Sequence, residues 1–257
     1  MRCGIDEAGL GPLVGSLFVV GVKVEGDLSS VRESKEVFRR SLRTYAEGER
    51  VVLGLLKALG MYSPSVSETW RRIFGRSPAM LEGLRFPLFG GSPSPLPFRV
   101  LDVVAVEVEA FRLRSHRFVK DARAMVSIAL GLNCPQVISG LAGGFKDYGR
   151  FLRGWDGERL EDGILYRRGK RRILFLRKAD ARFGEVALAS LIAKYLREVH
   201  MLALNRLVGL EGDIPPASGY PSDPMTPVLI ERLIAAGRTE FLRGSSPPNA
   251  LGDQTVG

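Results

Sequence analysis

The stretch Gly4-Ile5-Asp6-Glu7-Ala8-Gly9-Leu10-Gly11-Pro12 sets two adjacent carboxylates at the end of a short apolar strand, immediately before a turn containing two glycines. Such a strand end can hold a divalent metal beside a phosphodiester, so the chain's chemistry is expected to begin there. In a regular strand Asp6 and Glu7 point to opposite faces; they serve one site only where the pleat breaks near the turn, and otherwise read as a solvated pair. Working outward, Cys3 to Asp6 and Ser16 to Val24 read as two strands joined by the turn, the second apolar enough to lie centrally in a sheet. Gly9, Gly11 and Gly15 either admit a close backbone approach or simply shape a tight hairpin.

Beyond this, Ser34 to Met61 is mostly helical, with Val37, Leu42, Val51, Val52, Leu55, Leu56 and Leu59 at intervals of three or four, and Gly48 and Gly60 as points of interruption or termination. From Tyr62 to Phe98 the prolines at 64, 78, 87, 93, 95 and 97 and the Gly90-Gly91 pair rule against one continuous element, and an excursion over the surface with a short helix at Ser67 to Phe74 is expected. Arg99 to Phe111 returns to strand character with one wet face. Asp121 to Leu132 reads as a helix, Gln136 to Ser139 and Arg171 to Leu176 as strands, and Gly184 to Val208 as a long helix with the stripe Leu188, Leu191, Ile192, Tyr195, Leu196. Pro224 to Ala236 forms a final short helix, and Gly244 to Gly257 a mobile tail. The pattern is mixed α/β.

With 257 residues, 45% of them hydrophobic, the chain can bury one substantial core. A formal net charge of +9, from 37 Lys and Arg against 28 Asp and Glu, favours polyanions without identifying one. The two cysteines, Cys3 and Cys134, are too few for a disulfide framework and read as small buried side chains in a reducing compartment. Strand-like sequence begins directly after Met1-Arg2 and no apolar run is long enough to cross a bilayer, so a cytoplasmic, membrane-free, monomeric protein is the expectation.

Asp180 supplies a second strand-end carboxylate, following the apolar run 173–176 and preceding the long helix; capping or salt-linking that helix is the plainer alternative. Around it Arg167, Arg168, Lys170, Arg171, Arg172, Arg177 and Lys178 form a basic segment suited to steering a phosphate backbone toward the acids, or else an ordinary solvated hairpin. Neither His116 nor His200 lies in a zinc-ligand pattern. No phosphate-binding loop is present, and Gly9-Leu10-Gly11 is too short for a dinucleotide fingerprint.

Taken in order, Gly4 to Gly15, the short Glu33-Ser34-Lys35, Lys178-Ala179-Asp180 with Ala189-Ser190-Leu191-Ile192-Ala193-Lys194, and Ser218-Gly219-Tyr220-Pro221-Ser222-Asp223-Pro224-Met225-Thr226 resemble the motifs of the type-2 ribonuclease H family, ribonuclease HII and its relatives. The last segment is similar to archaeal-type members. The resemblance implies a ribonuclease H-like mixed sheet flanked by helices: a domain over 1–208 with a Pro/Gly-rich insertion near 62–98, a helical substrate-contact region at 209–243, and the tail. It also implies an endonuclease acting on RNA/DNA hybrids or on ribonucleotides embedded in duplex DNA, using two Mg²⁺ or Mn²⁺ ions. Asp6, Glu7 and Asp180 would be the metal-site acids, Tyr220 would pack near the sugar, and the Gly9-Leu10-Gly11 backbone would approach the 2′-hydroxyl. Lys35 and Lys194 would assist electrostatically.

Two departures stand out. Val137-Ile138-Ser139-Gly140 places Ser139 where the family has an aspartate, and Leu10 replaces the central Arg or Lys of the glycine motif. Serine is a poorer hard-metal ligand, and leucine removes a cationic donor. Asp147, in a glycine-rich loop, is a further candidate ligand, as is Asp121, which equally reads as a helix N-cap. The competing reading is a noncatalytic nucleic-acid-binding protein of the same fold with a degenerate metal site.

Overall fold

The computed structural model describes residues 1–244. One seven-stranded sheet runs in the order β3-β2-β1-β4-β7-β6-β5. Its strands are β1 (Arg2–Ala8), β2 (Leu17–Gly26), β3 (Phe98–Val108), β4 (Gln136–Gly140), β5 (Asp156–Arg159), β6 (Gly163–Arg168) and β7 (Arg171–Leu176). β1, β2 and β3 form an antiparallel meander, β1, β4 and β7 run parallel, and β7, β6 and β5 close the other edge as a second antiparallel meander. The central parallel strands all end on the same side, which gathers the loops after Ala8, Gly140 and Leu176.

Six helices flank the sheet: α1 (Ser34–Val37), α2 (Leu42–Ala58), α3 (Val66–Phe74), α4 (Arg117–Gly131), α5 (Gly184–Leu207) and α6 (Thr226–Ala235). β2 is buried on both faces, as its apolar run requires. Phe18, Val20, Val22 and Val24 pack with α2, α3 and α5, whereas Leu17 and Val19 pack with α4 on the other side. The stripe on α5 is wholly buried, each of its large side chains contributing roughly 1.5–3 kcal/mol. This helix lies unusually close to β1, because a Cβ on Gly4 would stand 2.3 Å from the carbonyl carbon of Glu185. The absent side chain thus seats the start of α5 against the strand that carries Asp6. Among the described residues, no helix is long and apolar enough to cross a membrane.

Several expectations are corrected. β1 stays paired through Ala8, and the helix expected over 34–61 divides into α1 and α2 around Arg40, whose φ of 55° interrupts it. Arg40 is held there by Asp223 and the Pro216 carbonyl. Residues 62–98 are no surface excursion: Trp70, Leu81, Phe86 and Phe89 are buried in the α2–α5 core. Prolines forbid a regular element there but do not forbid burial, and Glu49 of α2 accepts the Leu88, Phe89 and Gly91 N–H groups that lack a strand partner. Asp121 is not an N-cap, because α4 begins four residues earlier at Arg117. Cys3 and Cys134 are buried as expected but are joined in a disulfide, β1 and β4 being sheet neighbours. The tail from 245 onward lies outside the described residues.

Candidate active site

β1 is regular to its end, with Asp6 opposite Val20 and Glu7 opposite Val19, so the expected break in the pleat does not occur. The two carboxylates nevertheless reach one cavity. β4 stops at Gly140, where a Cβ would lie 2.4 Å from Asp6 Oδ1 and 3.7 Å from Glu7 Oε2. Both acids bend over this bare backbone from opposite sides of β1. The cavity, about 390 Å³, is also bordered by Gly9, Leu10, Gly11, Lys35, Asp180, Lys194 and Tyr220.

Asp180 arrives on the one-turn helix Ala179–Ala181 that follows β7. The N-cap position of α5 is Phe183, so Asp180 is not that helix's cap. Its carboxylate lies 3.4 Å from Lys35 Nζ at the cavity edge. Ser190, nearly two turns into α5, shares a 3.0 Å hydrogen bond with Ser34. Thus the elements preceding α2 and the start of α5 meet over Asp6.

The acids crowd one another. Burial pushes the Asp6 carboxyl up to about 6; the neighbouring Ser190 hydroxyl works against this and the charge of Asp180 adds to it. Glu7 is raised well above the usual carboxylate range, first by burial and then by the charges of Asp121 and Asp6. Asp121 comes from α4, on the far side of β1. It is fully buried, neither of its carboxylate oxygens has a hydrogen-bond partner among the described residues, and burial followed by the charge of Asp6 raises its carboxyl as well. Among the described residues no three His, Cys, Asp or Glu side chains are gathered tightly enough to hold a metal ion. The donor set is nonetheless oxygen only, and an unpartnered buried carboxylate beside two others is chemistry that suits a hard divalent cation rather than zinc.

Across the cavity, Tyr220 lies against the glycine loop, a Cβ on Gly11 falling 3.4 Å from its ring. Arg197 stands over that ring at 5.0 Å and Lys194 at 5.8 Å. The turn that presents it is tied by Asp223, which accepts from the Ser218 and Met225 N–H groups. From the C-terminal end, Arg243 donates to the carbonyls of Gly15 at 2.7 Å and Gly9 at 2.5 Å. Sequence reasoning singles out neither Arg197 nor Arg243. Nothing local marks them, since both act through contacts with residues far away in the chain.

Other expected site residues fall elsewhere. Ser139 is fully buried and turns toward α4, its hydroxyl 3.6 Å from Met125 Sδ and 2.9 Å from the Gly140 carbonyl. Strand alternation aims residue 140, not 139, at Asp6. Leu10 borders the cavity while its side chain packs near Gly143 and the α4 core. Asp147 is exposed beside Tyr166 and does not line the cavity. Of the basic segment, only Lys178 borders the cavity, with Arg177 alongside it in sequence. Arg167, Arg168, Lys170, Arg171 and Arg172 cluster around the β6–β7 turn, at the opposite end of β7 from the acids. Arg167 pairs with Glu158 there, and Arg171 lies over Trp155. His200 is buried with Nε2 accepting from the Ser16 N–H, and burial holds it neutral with a pKa of about 3.

A mixed sheet with parallel centre strands, helices on both faces and carboxylates at the strand ends defines a ribonuclease H-type fold. The family model described as ribonuclease HII matches residues 157–245, a span that holds Asp180, α5 and Tyr220. Ribonuclease HII of Aeropyrum pernix is 30% identical over 243 residues, covering 91% of this chain and 81% of that protein. Ribonuclease HII of Pyrococcus abyssi is 28% identical over 234 residues, covering 89% and 79%. Among solved structures, the PCNA:RNase HII complex from Archaeoglobus fulgidus matches with a TM-score of 0.56 and 20% identity, over 100% of this chain and 98% of that one. The chain belongs to the ribonuclease HII family of ribonuclease H-type nucleases.

Proposed function

We propose that the protein is a metal-dependent endonuclease that cuts the RNA strand of RNA/DNA hybrids, or duplex DNA at an embedded ribonucleotide, using Mg²⁺ or Mn²⁺. The observation that carries this reading is the meeting of Asp6, Glu7 and Asp180 with Tyr220 and the glycine loop around one cavity. Asp6, Glu7 and Asp180 would hold the ions. When bound, divalent ions in such a site activate water for in-line attack and stabilise the leaving oxygen.

The protein's own part is positioning. The Gly9–Gly11 backbone offers no side chain larger than Leu10 between the acids and Tyr220, so a sugar edge can come close to its peptide groups. Tyr220 supplies a flat apolar wall for that sugar, and the cations of Lys194 and Arg197 over the ring fix its orientation. Lys35 places positive charge at the cavity rim, where a phosphate would enter.

The test is incubation of the protein with Mg²⁺ or Mn²⁺ and either a hybrid duplex or a duplex carrying one ribonucleotide. Cleavage is expected, and Asp6→Asn should slow it on the order of a thousandfold, the equivalent of about 4 kcal/mol of transition-state stabilisation. Binding of the hybrid with no turnover beyond the Asp6→Asn control would leave a nucleic-acid-binding protein and reject the nuclease.

A further inference from the structure

The strand that borders the acids gives them no carboxylate. Ser139 turns its hydroxyl into the α4 core, Gly140 has no room for any side chain beneath Asp6, and Leu141, next along the cavity wall, is apolar. On the other side of β1 the reverse holds. Asp121 is a carboxylate with no solvent exposure and no hydrogen bond to either oxygen, and its charged neighbours are acids. An isolated buried carboxylate is among the costliest groups a fold can carry, and a like charge beside it makes the position worse. Among the described residues no hydrogen bond offsets this. α4 would pack as well with an apolar residue there, because the rest of the buried face is Ala122, Ala124, Met125, Val126, Ile128 and Ala129.

We propose that Asp121 is a ligand of the divalent cation held by Asp6 and Glu7, delivered from α4 in place of an acid that β4 does not supply. The inference rests on the metal-dependent reading above and deepens it. A cation shared with Glu7 gives the orphaned oxygens a partner and turns the mutual repulsion of the acids into binding energy. Among the described residues the carboxylates are not gathered closely enough to hold an ion, so metal entry must pull them together. Metal binding and stability are therefore coupled through Asp121.

The experiment is a Mn²⁺ titration of the full chain without nucleic acid, following free Mn²⁺ by electron paramagnetic resonance, alongside thermal melts with EDTA or Mn²⁺. Asp121→Asn should weaken Mn²⁺ binding about tenfold or more, as expected for a site tuned by ligand charge. It should melt no lower than the parent in EDTA, since an uncharged amide relieves the repulsion, and it should lose most of the Mn²⁺-induced rise in Tm. Asp147→Asn, an exposed acid off the cavity, should change neither. Adding Leu141→Asp to the Asp121→Asn protein should recover Mn²⁺ affinity by restoring a carboxylate on the β4 side. If Asp121→Asn misfolds, Asp121→Ser is titrated in its place, with the same expectations. Wild-type affinity and stoichiometry in the Asp121 variant would overturn the assignment while leaving the nuclease reading intact. A parent protein that binds no Mn²⁺ would overturn both.

Discussion

Two buried acids, Glu49 and Asp121, sit on opposite sides of the same sheet and are treated in opposite ways. Glu49 accepts the backbone N–H groups of Leu88, Phe89 and Gly91 at 2.7–2.8 Å and the Tyr195 hydroxyl at 2.8 Å. Asp121 accepts no hydrogen bond among the described residues. Where a carboxylate is used to hold the fold, this molecule saturates it with donors; beside Asp6 and Glu7 it withholds them. Saturation spends the lone pairs, so Glu49 is finished as a ligand. Asp121 keeps its own available.

The comparison can be broken most severely at Glu49. Replacing it with alanine leaves the three N–H groups of the 88–91 loop buried without an acceptor, and a loss of about 4 kcal/mol in unfolding free energy is expected from urea denaturation. A loss below about 1 kcal/mol would show that the loop does not depend on this anchor.

A buried group of the other sign sharpens the contrast. His200 accepts from Ser16 but leaves Nδ1 without a hydrogen bond, 3.8 Å from Glu107, and it is held neutral by burial and then by the charges of Arg197 and Arg243. Its pKa falls from 6.5 in the unfolded chain to about 3 in the fold, so between these values the unfolded state binds more protons. The contribution of His200 to stability is therefore full above about pH 6.5 and is lost as pH drops toward 3, by on the order of 3 kcal/mol at about pH 4, while the raised Asp6 carboxyl works in the opposite direction over the same range. His200→Gln should flatten this acid limb in melts across pH 4–7; an unchanged slope would exclude His200 as its source.

The smallest effect is expected at the cavity rim. The Lys35–Asp180 pair joins a lysine side chain 77% exposed to an aspartate 12% exposed, so Lys35→Met should change unfolding free energy by under about 0.5 kcal/mol. A larger loss would mean that this pair belongs with Glu49, as part of the scaffold.

How far the sequence discloses this molecule depends on whether each feature is written locally. The alternation and apolar run of 16–24, the stripe on α5 and the ordered motifs around Asp6, Asp180 and Tyr220 are local, and the sheet, the family and the shared cavity follow from them. β5 is four exposed residues, Asp156–Arg159, with no apolar face, so nothing in its composition distinguishes it from a loop. The 62–98 segment looks like surface because its prolines advertise irregular backbone, while the acceptors that let it be buried belong to Glu49, about forty residues earlier. Asp121 looks like a cap because the true start of α4 is marked only by the left-handed turn at His116, φ 52°, which carries no cap side chain. Ser139 was placed at the site by motif alignment alone. One residue of register separates it from Gly140, and in a strand one residue is the difference between the two faces.

The grip of Arg243 on the carbonyls of Gly9 and Gly15, with its own N–H bonded to Leu13 at 3.0 Å, makes the first loop of the chain depend on one of its last described residues. During synthesis the acids of β1 leave the ribosome before position 243, and the loop beside them, already tied by Leu13 to Gly219 and by Gly15 to Phe241, is not fully fastened until that arginine has emerged. A shortened product ending before that arginine would carry every acidic side chain discussed above and still lack a fully fastened rim. Completeness of translation is in this way written into the geometry of the cavity.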